Sequence, residues 1–163
     1  MIRPVLVVVL FLVLGVVAYI RLAPSDPARW HIDIAAPGFV PPSGWAAFCP
    51  GPGSREVVKF TSGDPLAIFA AVVDATPRTT RLAGSVEEGR ITWITRSLIF
   101  GFPDYATAAL VDTVDGRQVC VVSRQRFGSE DGGVNVRRLG LWLMASHGFL
   151  EPPSLGWRVE PTS

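Results

Sequence analysis

Seventeen consecutive residues without a charge, Pro4 to Ile20, constrain this 163-residue chain more than any other feature, and ten of them form an unbroken apolar run from Val5 to Leu14. An apolar surface of that length is costly to leave in water, so the segment has to be covered by lipid, by a targeting machinery or by the protein itself. A helix crossing about 30 Å of hydrocarbon needs about 20 such residues. Arg3 precedes the run, and Tyr19 and Arg21 come after it, an interfacial aromatic and a charge in the places a spanning helix puts them. Residues 1–21 are therefore read as a membrane anchor that crosses the membrane through residues 4–20. The competing reading is a cleaved signal peptide with Val16-Val17-Ala18 as its small-residue cleavage site. The count of basic residues on the two sides is nearly even. A tail this short before an apolar run favours export of the remainder of the chain, and the expectation is a single-pass protein whose domain faces the periplasm. Fourteen arginines against the single Lys59 point to a GC-rich coding bias and so to a bacterial cytoplasmic membrane.

Beyond the run, residues 22–163 carry thirteen basic and fourteen acidic side chains. That balance offers no electrostatic footprint for nucleic acid. The length suits one domain of ordinary size.

Residues 22–54 hold Pro24, Pro27, Pro37, Pro41, Pro42, Pro50 and Pro52, which exclude a long helix or a central strand. Trp30, Ile32, Phe39, Trp45 and Phe48 interrupt the prolines, so the segment reads as a strap lying on the domain. Arg55 to Thr61 alternates weakly, as a strand would. Asp64-Pro65 is an N-cap followed by proline at the first helical position, and it opens a helix expected over residues 65–76. Four strands come next, over Thr79–Val86, Arg90–Phe100, Tyr105–Val114 and Arg117–Gln125. Ile91, Trp93 and Ile99 are assigned to the core face of the second, and Asp115-Gly116 turns the third into the fourth. Val119, Cys120, Val121 and Val122 make the fourth apolar on both faces, the mark of an interior strand. Val134 to His147 is the last helix, with Asp131 to cap it and Gly148 to end it. Its apolar residues, Trp142 among them, cover more than one face. This predicts either burial on two sides or a partner contact. Residues 149–163 read as an extended tail. The fold class is α+β, an antiparallel sheet of four to five strands packed by two helices over residues 55–148, behind one N-terminal transmembrane helix.

Two segments carry a family resemblance. Arg96-Ser97-Leu98-Ile99-Phe100-Gly101-Phe102-Pro103-Asp104 ends one strand, and Ser123 to Leu139, containing Arg126, Gly128, Asp131, Gly133, Asn135 and Arg138, leads into the last helix. In order and spacing they resemble the domain of unknown function 1499 family. The resemblance implies the fold and a bacterial or plastid envelope setting, and it implies no activity. Pro103, Tyr105 and Gly132 depart from the family pattern, and the cysteine-rich entry that many members carry near the domain start is missing, Cys49 standing alone.

No nucleophile elbow, zinc-binding helix, Cys-x-x-Cys or phosphate loop is present, and nothing in the sequence calls for a metal or other cofactor. His31 and His147 read as strap-packing and helix-end residues. Cys49 and Cys120 can pair in an oxidising compartment, or Cys120 can remain a buried thiol. The candidate anion- or ligand-binding set is Arg96, Asp104, Arg124, Arg126, Gly128, Asp131, Asn135 and Arg138, with the helix N-terminus and the arginines holding the anion. The same residues also form a sensible structural network, in which Asp131 caps the helix, Asp104 pairs with an arginine and Asn135 satisfies loop backbone. The functional expectation is a non-catalytic binding or interaction module with a protein partner or an anionic ligand. The alternatives are a hydrolase or transferase using Asp104 or Asp131 on an anionic envelope substrate, and a small carrier of lipid or hydrophobic ligand.

Overall fold

A strand that is apolar on both faces must be covered on both, and that requirement organises the whole domain. The computed structural model describes residues 2–55, 60, 63–114, 116–128 and 131–148. Helix α1 spans Ile2–Leu22 and the short helix α2 spans Pro27–Trp30, followed by strand β1 at Ala46–Phe48. Helix α3 runs over Pro65–Asp74, strands β2 to β5 over Thr79–Ser85, Arg90–Arg96, Pro103–Thr113 and Gly116–Gln125, and helix α4 over Val134–Ser146. The strands form one antiparallel sheet in the order β1-β5-β4-β3-β2, which makes β5 an interior strand. The α+β class holds, with five strands and one N-terminal helix long and apolar enough to cross a membrane over Pro4–Leu22.

The two-residue period of β5 sends its side chains alternately to two different covers. Val119 and Val121 join Leu66, Phe69, Val73, Ile91, Trp93, Leu139 and Trp142 beneath α3 and α4. Cys120 and Val122 join Ile34, Ala47, Cys49 and Ala109 beneath the strap. A third cluster on the strap side packs Trp30 on Ile94 and Tyr105. The sheet is thus the middle of three layers. A disulfide joins Cys49, just past β1, to Cys120 in β5 across a sequence separation of 71 residues.

Local chemistry accounts for the helix positions. Asp64 accepts from the backbone N–H groups of Leu66 and Ala67, and Pro65 fills the first helical position. At the far end of α3, the Asp74 carboxylate accepts from Trp93 Nε1 at 2.8 Å and pairs with Arg81. Burial works to raise the Asp74 pKa, but the hydrogen bonds from Arg81 and Trp93 outweigh it and hold the carboxyl below its ordinary value. Gly84, at φ +85°, lies beside the register shift between Arg81 and Ala83, where an added Cβ would stand 2.0 Å from the Arg90 carbonyl oxygen.

Several expectations change. The strand expected to reach Phe100 stops at Arg96. Ser97 N–H donates to the Phe102 carbonyl and Gly101 takes φ +74°, which turns the chain back into β4. Ile99, expected in the core, is 73% exposed. The strap contributes the fifth strand itself, through β1. Most of the strand expected at Arg55–Thr61 lies outside the described residues, and Arg55 forms a single bridge to Phe48. Gly116, expected in the turn, is the first residue of β5 and pairs with Thr113, while Asp115 lies outside the described residues. Trp142 is 1% exposed and packs edge-on against Phe69, so it serves the core and offers no partner surface. The expected tail, residues 149–163, lies outside the described residues.

Closing a loop of this length stabilises a fold by about 4 kcal/mol in the chain-entropy account. Reduction, or Cys49→Ser, should lower stability by about that amount in denaturant titrations of the detergent-solubilised chain. Intrinsic fluorescence of the strap tryptophans should shift to the red in the same samples.

Candidate functional site

Adjacent residues on a strand point to opposite faces, and this divides the candidate set. Asp104 and Arg138 meet on the helix-covered face, Arg124 and Arg126 lie under the strap, and Arg96 stands at the end of the sheet.

On the helix face, Arg138 Nη1 lies 3.0 Å from Asp104 Oδ2, and each side chain is 13% exposed. The same nitrogen donates to Asn135 Oδ1 at 2.9 Å, and that oxygen also accepts from Ser123 Oγ at 2.7 Å. Asp131 caps α4 with both carboxylate oxygens, accepting from Gly133 N–H at 2.9 Å and Asn135 N–H at 2.7 Å. Its backbone carbonyl accepts from Val134 N–H. The helix N-terminus, a ready anion site in principle, is therefore already occupied by a carboxylate of the protein. Asn135, expected to satisfy loop backbone, instead ties β5 to α4 through its side-chain carbonyl. Its Nδ2 is buried without a partner among the described residues.

Burial pushes the Asp104 carboxyl above its ordinary value, against the opposing attraction of Arg138. The Asp131 charge adds to the rise, and the Asn135 amide pulls the other way without reaching hydrogen-bond geometry. An acid with a raised pKa is a sensible proton donor, but here the carboxylate is held by a guanidinium inside a packed interface.

Beneath the strap, the Arg124 guanidinium is sandwiched between indoles, 4.9 Å from the Trp30 ring centre and 4.4 Å from that of Trp45. Its Nη2 donates to the carbonyls of Arg29 and Trp30, both at 3.2 Å. Burial first, and the Arg29 charge second, disfavour the charged form of Arg124, and the two ring faces compensate. Trp30 in turn stacks on Tyr105 with centroids 3.7 Å apart and planes within 6°. Arg126 Nη1 donates to the Pro24 carbonyl at 2.7 Å and lies 3.4 Å from Tyr105 Oη. Both arginines thus fasten the strap to the sheet. Arg96 Nη1 donates to the Gly101 carbonyl at 3.0 Å and braces the β3–β4 loop. Gly128 is exposed, and its carbonyl accepts from Gln125 Nε2 at 3.5 Å.

Sequence reasoning passes over Trp30, Trp45, Tyr105 and Ser123 as members of these groups. Strand parity is the available signal, because Tyr105 and Arg124 are register partners and must share a face. His31, one of only two histidines, belongs to the strap. Its Nε2 accepts from Arg90 Nε at 3.1 Å and its Nδ1 lies 2.9 Å from Thr92 Oγ1. No group of three or more His, Cys, Asp or Glu among the described residues is placed to hold a metal ion.

Apart from these groups, an open cleft of about 760 Å³ lies between the strap and the β4–β5 hairpin. Ile34, Phe39, Pro41, Val111 and Val114 line it, with the Cys49–Cys120 disulfide at its side.

A five-stranded antiparallel sheet between two helices and an N-terminal strap defines a small α+β domain whose candidate acids and arginines are bonded within the fold, partly to one another and partly to backbone. The model of the family described as Protein of unknown function (DUF1499) matches residues 56–145, and the chain belongs to that family. No curated protein and no solved structure matches the chain.

This chemistry has two measurable outcomes. Arg138→Met leaves the Asp104 carboxyl buried without its counter-charge, and should cost about 3 kcal/mol. The double variant Asp104→Asn with Arg138→Met should cost less than that single change, as measured by denaturant midpoints. Burial, followed by the Arg90 charge, lowers the His31 pKa below its ordinary 6.5. The unfolded chain therefore takes up a proton near that pH which the folded chain refuses, so stability falls as pH drops through and below this value. The melting temperature should be lower at pH 5 than at pH 7.5, and the drop should be smaller in His31→Gln.

Proposed function

We propose that this chain is a single-pass protein of the bacterial cytoplasmic membrane whose α+β domain stands on the oxidising, periplasmic side as a non-catalytic binding module. The observation that carries the reading is that the candidate acids and arginines are spent within the fold. Asp131 uses both oxygens on backbone N–H groups, Asp104 is held by Arg138, and Arg96, Arg124 and Arg126 each donate to backbone carbonyls. A hydrolase or transferase would need one of these groups released. The volume and the largely apolar lining of the strap cleft suit a small ligand or a short segment of a partner. A carrier with an enclosed lipid cavity has less support, because Phe69, Trp93 and Trp142 fill the helix-covered face.

The membrane and compartment assignments have their own support. The disulfide favours the oxidising side. Leu12, Val13, Val16, Val17 and Ile20 of α1 share an apolar crevice with Phe100 and Phe102, and removal of α1 after Ala18 would strip most of that wall away.

Native mass spectrometry of the chain purified from membranes in mild detergent tests the proposal. The expected species is the uncleaved 17.6 kDa chain carrying an added ligand or partner mass, and Phe39→Asp should remove that addition. A chain beginning at Tyr19 would overturn the anchor. Loss of function in a folded Asp104→Asn, Asp131→Asn double variant, tested by complementation, would return the domain to the enzymes.

A further inference from the structure

Among the described residues outside α1, the segment between β3 and β4 is the least water-compatible part of the domain. Leu98 and Ile99 are each 73% exposed, Phe100 is 48% exposed and Phe102 36%. Four exposed apolar side chains within five residues form a contiguous patch, and such a patch on a folded domain marks a contact surface.

Its position identifies the contact. Arg21, in the last turn of α1, donates from Nη2 to the Ile99 carbonyl at 2.9 Å. Tyr19 meets the edge of Phe127, and Phe127 meets the edge of Phe102. Phe100 and Phe102 line the same crevice of about 300 Å³ as Leu12, Val13, Val16, Val17 and Ile20. At 1.5 Å of rise per residue, Val16 lies about 9 Å along the axis from Leu22. If α1 spans hydrocarbon to its C-terminal end, the two phenylalanine rings lie at a depth that hydrocarbon occupies.

The loop is also furnished for such a place. Backbone carried into lipid must have its polar groups satisfied by the protein. The Ile99 carbonyl accepts from Arg21, the Gly101 carbonyl from Arg96 and the Phe102 carbonyl from Ser97 N–H, while Phe102 N–H donates to Ser97 Oγ. Gly101 fits the close approach, since an added Cβ would stand 3.1 Å from Arg21 Cγ.

We propose that the Ser97–Phe102 loop inserts into the outer leaflet beside α1, making a second membrane attachment that fixes the tilt of the domain on the bilayer. This rests on the anchored reading of α1, and the occupant of the patch is the lipid bilayer. Two anchor points a loop's width apart restrain a domain that a single helix would leave free to swivel. The strap, running from Ala23 over Arg126 and Arg124, continues the same connection into the sheet.

The test uses the full chain, with its disulfide oxidised, in vesicles of phosphatidylethanolamine and phosphatidylglycerol. An environment-sensitive nitrobenzoxadiazole label is placed at Leu98→Cys, at Ile99→Cys as a second loop site, and at Val9→Cys to report on α1. Lipids carrying a nitroxide high on the acyl chain should quench the loop labels at least twofold more than aqueous iodide does, and the Val9 label should be shielded from iodide. Quenching of the Val9 label by lipid nitroxide with loop labels open to iodide would overturn the inserted loop and leave the anchor standing. Iodide access to all three labels would overturn both.

Discussion

Cys120 sits in a strand with no solvent face, and much of the domain is the consequence of covering it. The side chains of β5 need apolar neighbours on both sides, and only one side can be supplied by α3 and α4. The other is supplied by a proline-rich segment that makes little regular structure of its own. Such a segment has no helical or sheet cooperativity to hold it down, so it is fastened at discrete points: the Cys49–Cys120 disulfide, three ladder pairs from β1, and Arg124 held between Trp30 and Trp45. Each fastening joins a strap residue to β5, which makes this strand the common frame of both covers.

The polar residues serve the same end on the other side. Ser123, Asn135, Arg138 and Asp104 connect β5, α4 and β4 in one chain of hydrogen bonds, closed by Asp131 at the helix start. A buried pair of this kind adds little net stability relative to apolar residues, because desolvation offsets the attraction. Its contribution is to the position of α4, since any sliding of the helix strands a charge away from water. The residues that most resemble a site are therefore those that set the register between helix and sheet. The open cleft lies elsewhere, along the strap, and a second, apolar crevice lies against the side of α1.

Much of this is legible in order and spacing. The cap at Asp64, the interior character of β5 and the family segments around Arg96 and Asp131 arise from local chemistry, and those elements appear where the residues place them. The grouping of the site is less legible. Asp104 and Arg126 look like neighbours in a motif, yet Asp104 pairs in register with Gln125, so Arg124 and Arg126 project to the opposite face. Strand parity contains that information, but its use requires the register between β4 and β5. The end of β3 is obscured for a related reason. Leu98, Ile99 and Phe100 have strand propensity, and a turn forced by Gly101 overrides it.

The sequence by itself determined that an apolar helix precedes an α+β domain, that prolines bar a long helix or a central strand in the strap, and that one strand is buried on both faces. These are consequences of side-chain polarity and backbone freedom, which act within a few residues. Only the tertiary structure decided that Cys49 and Cys120 meet, which arginines are enclosed by which rings, and that the apolar β3–β4 loop lies against the end of α1. Those outcomes join residues up to about a hundred positions apart, as in the bond from Arg126 to the Pro24 carbonyl. They depend on strand order and register, which local preference does not encode.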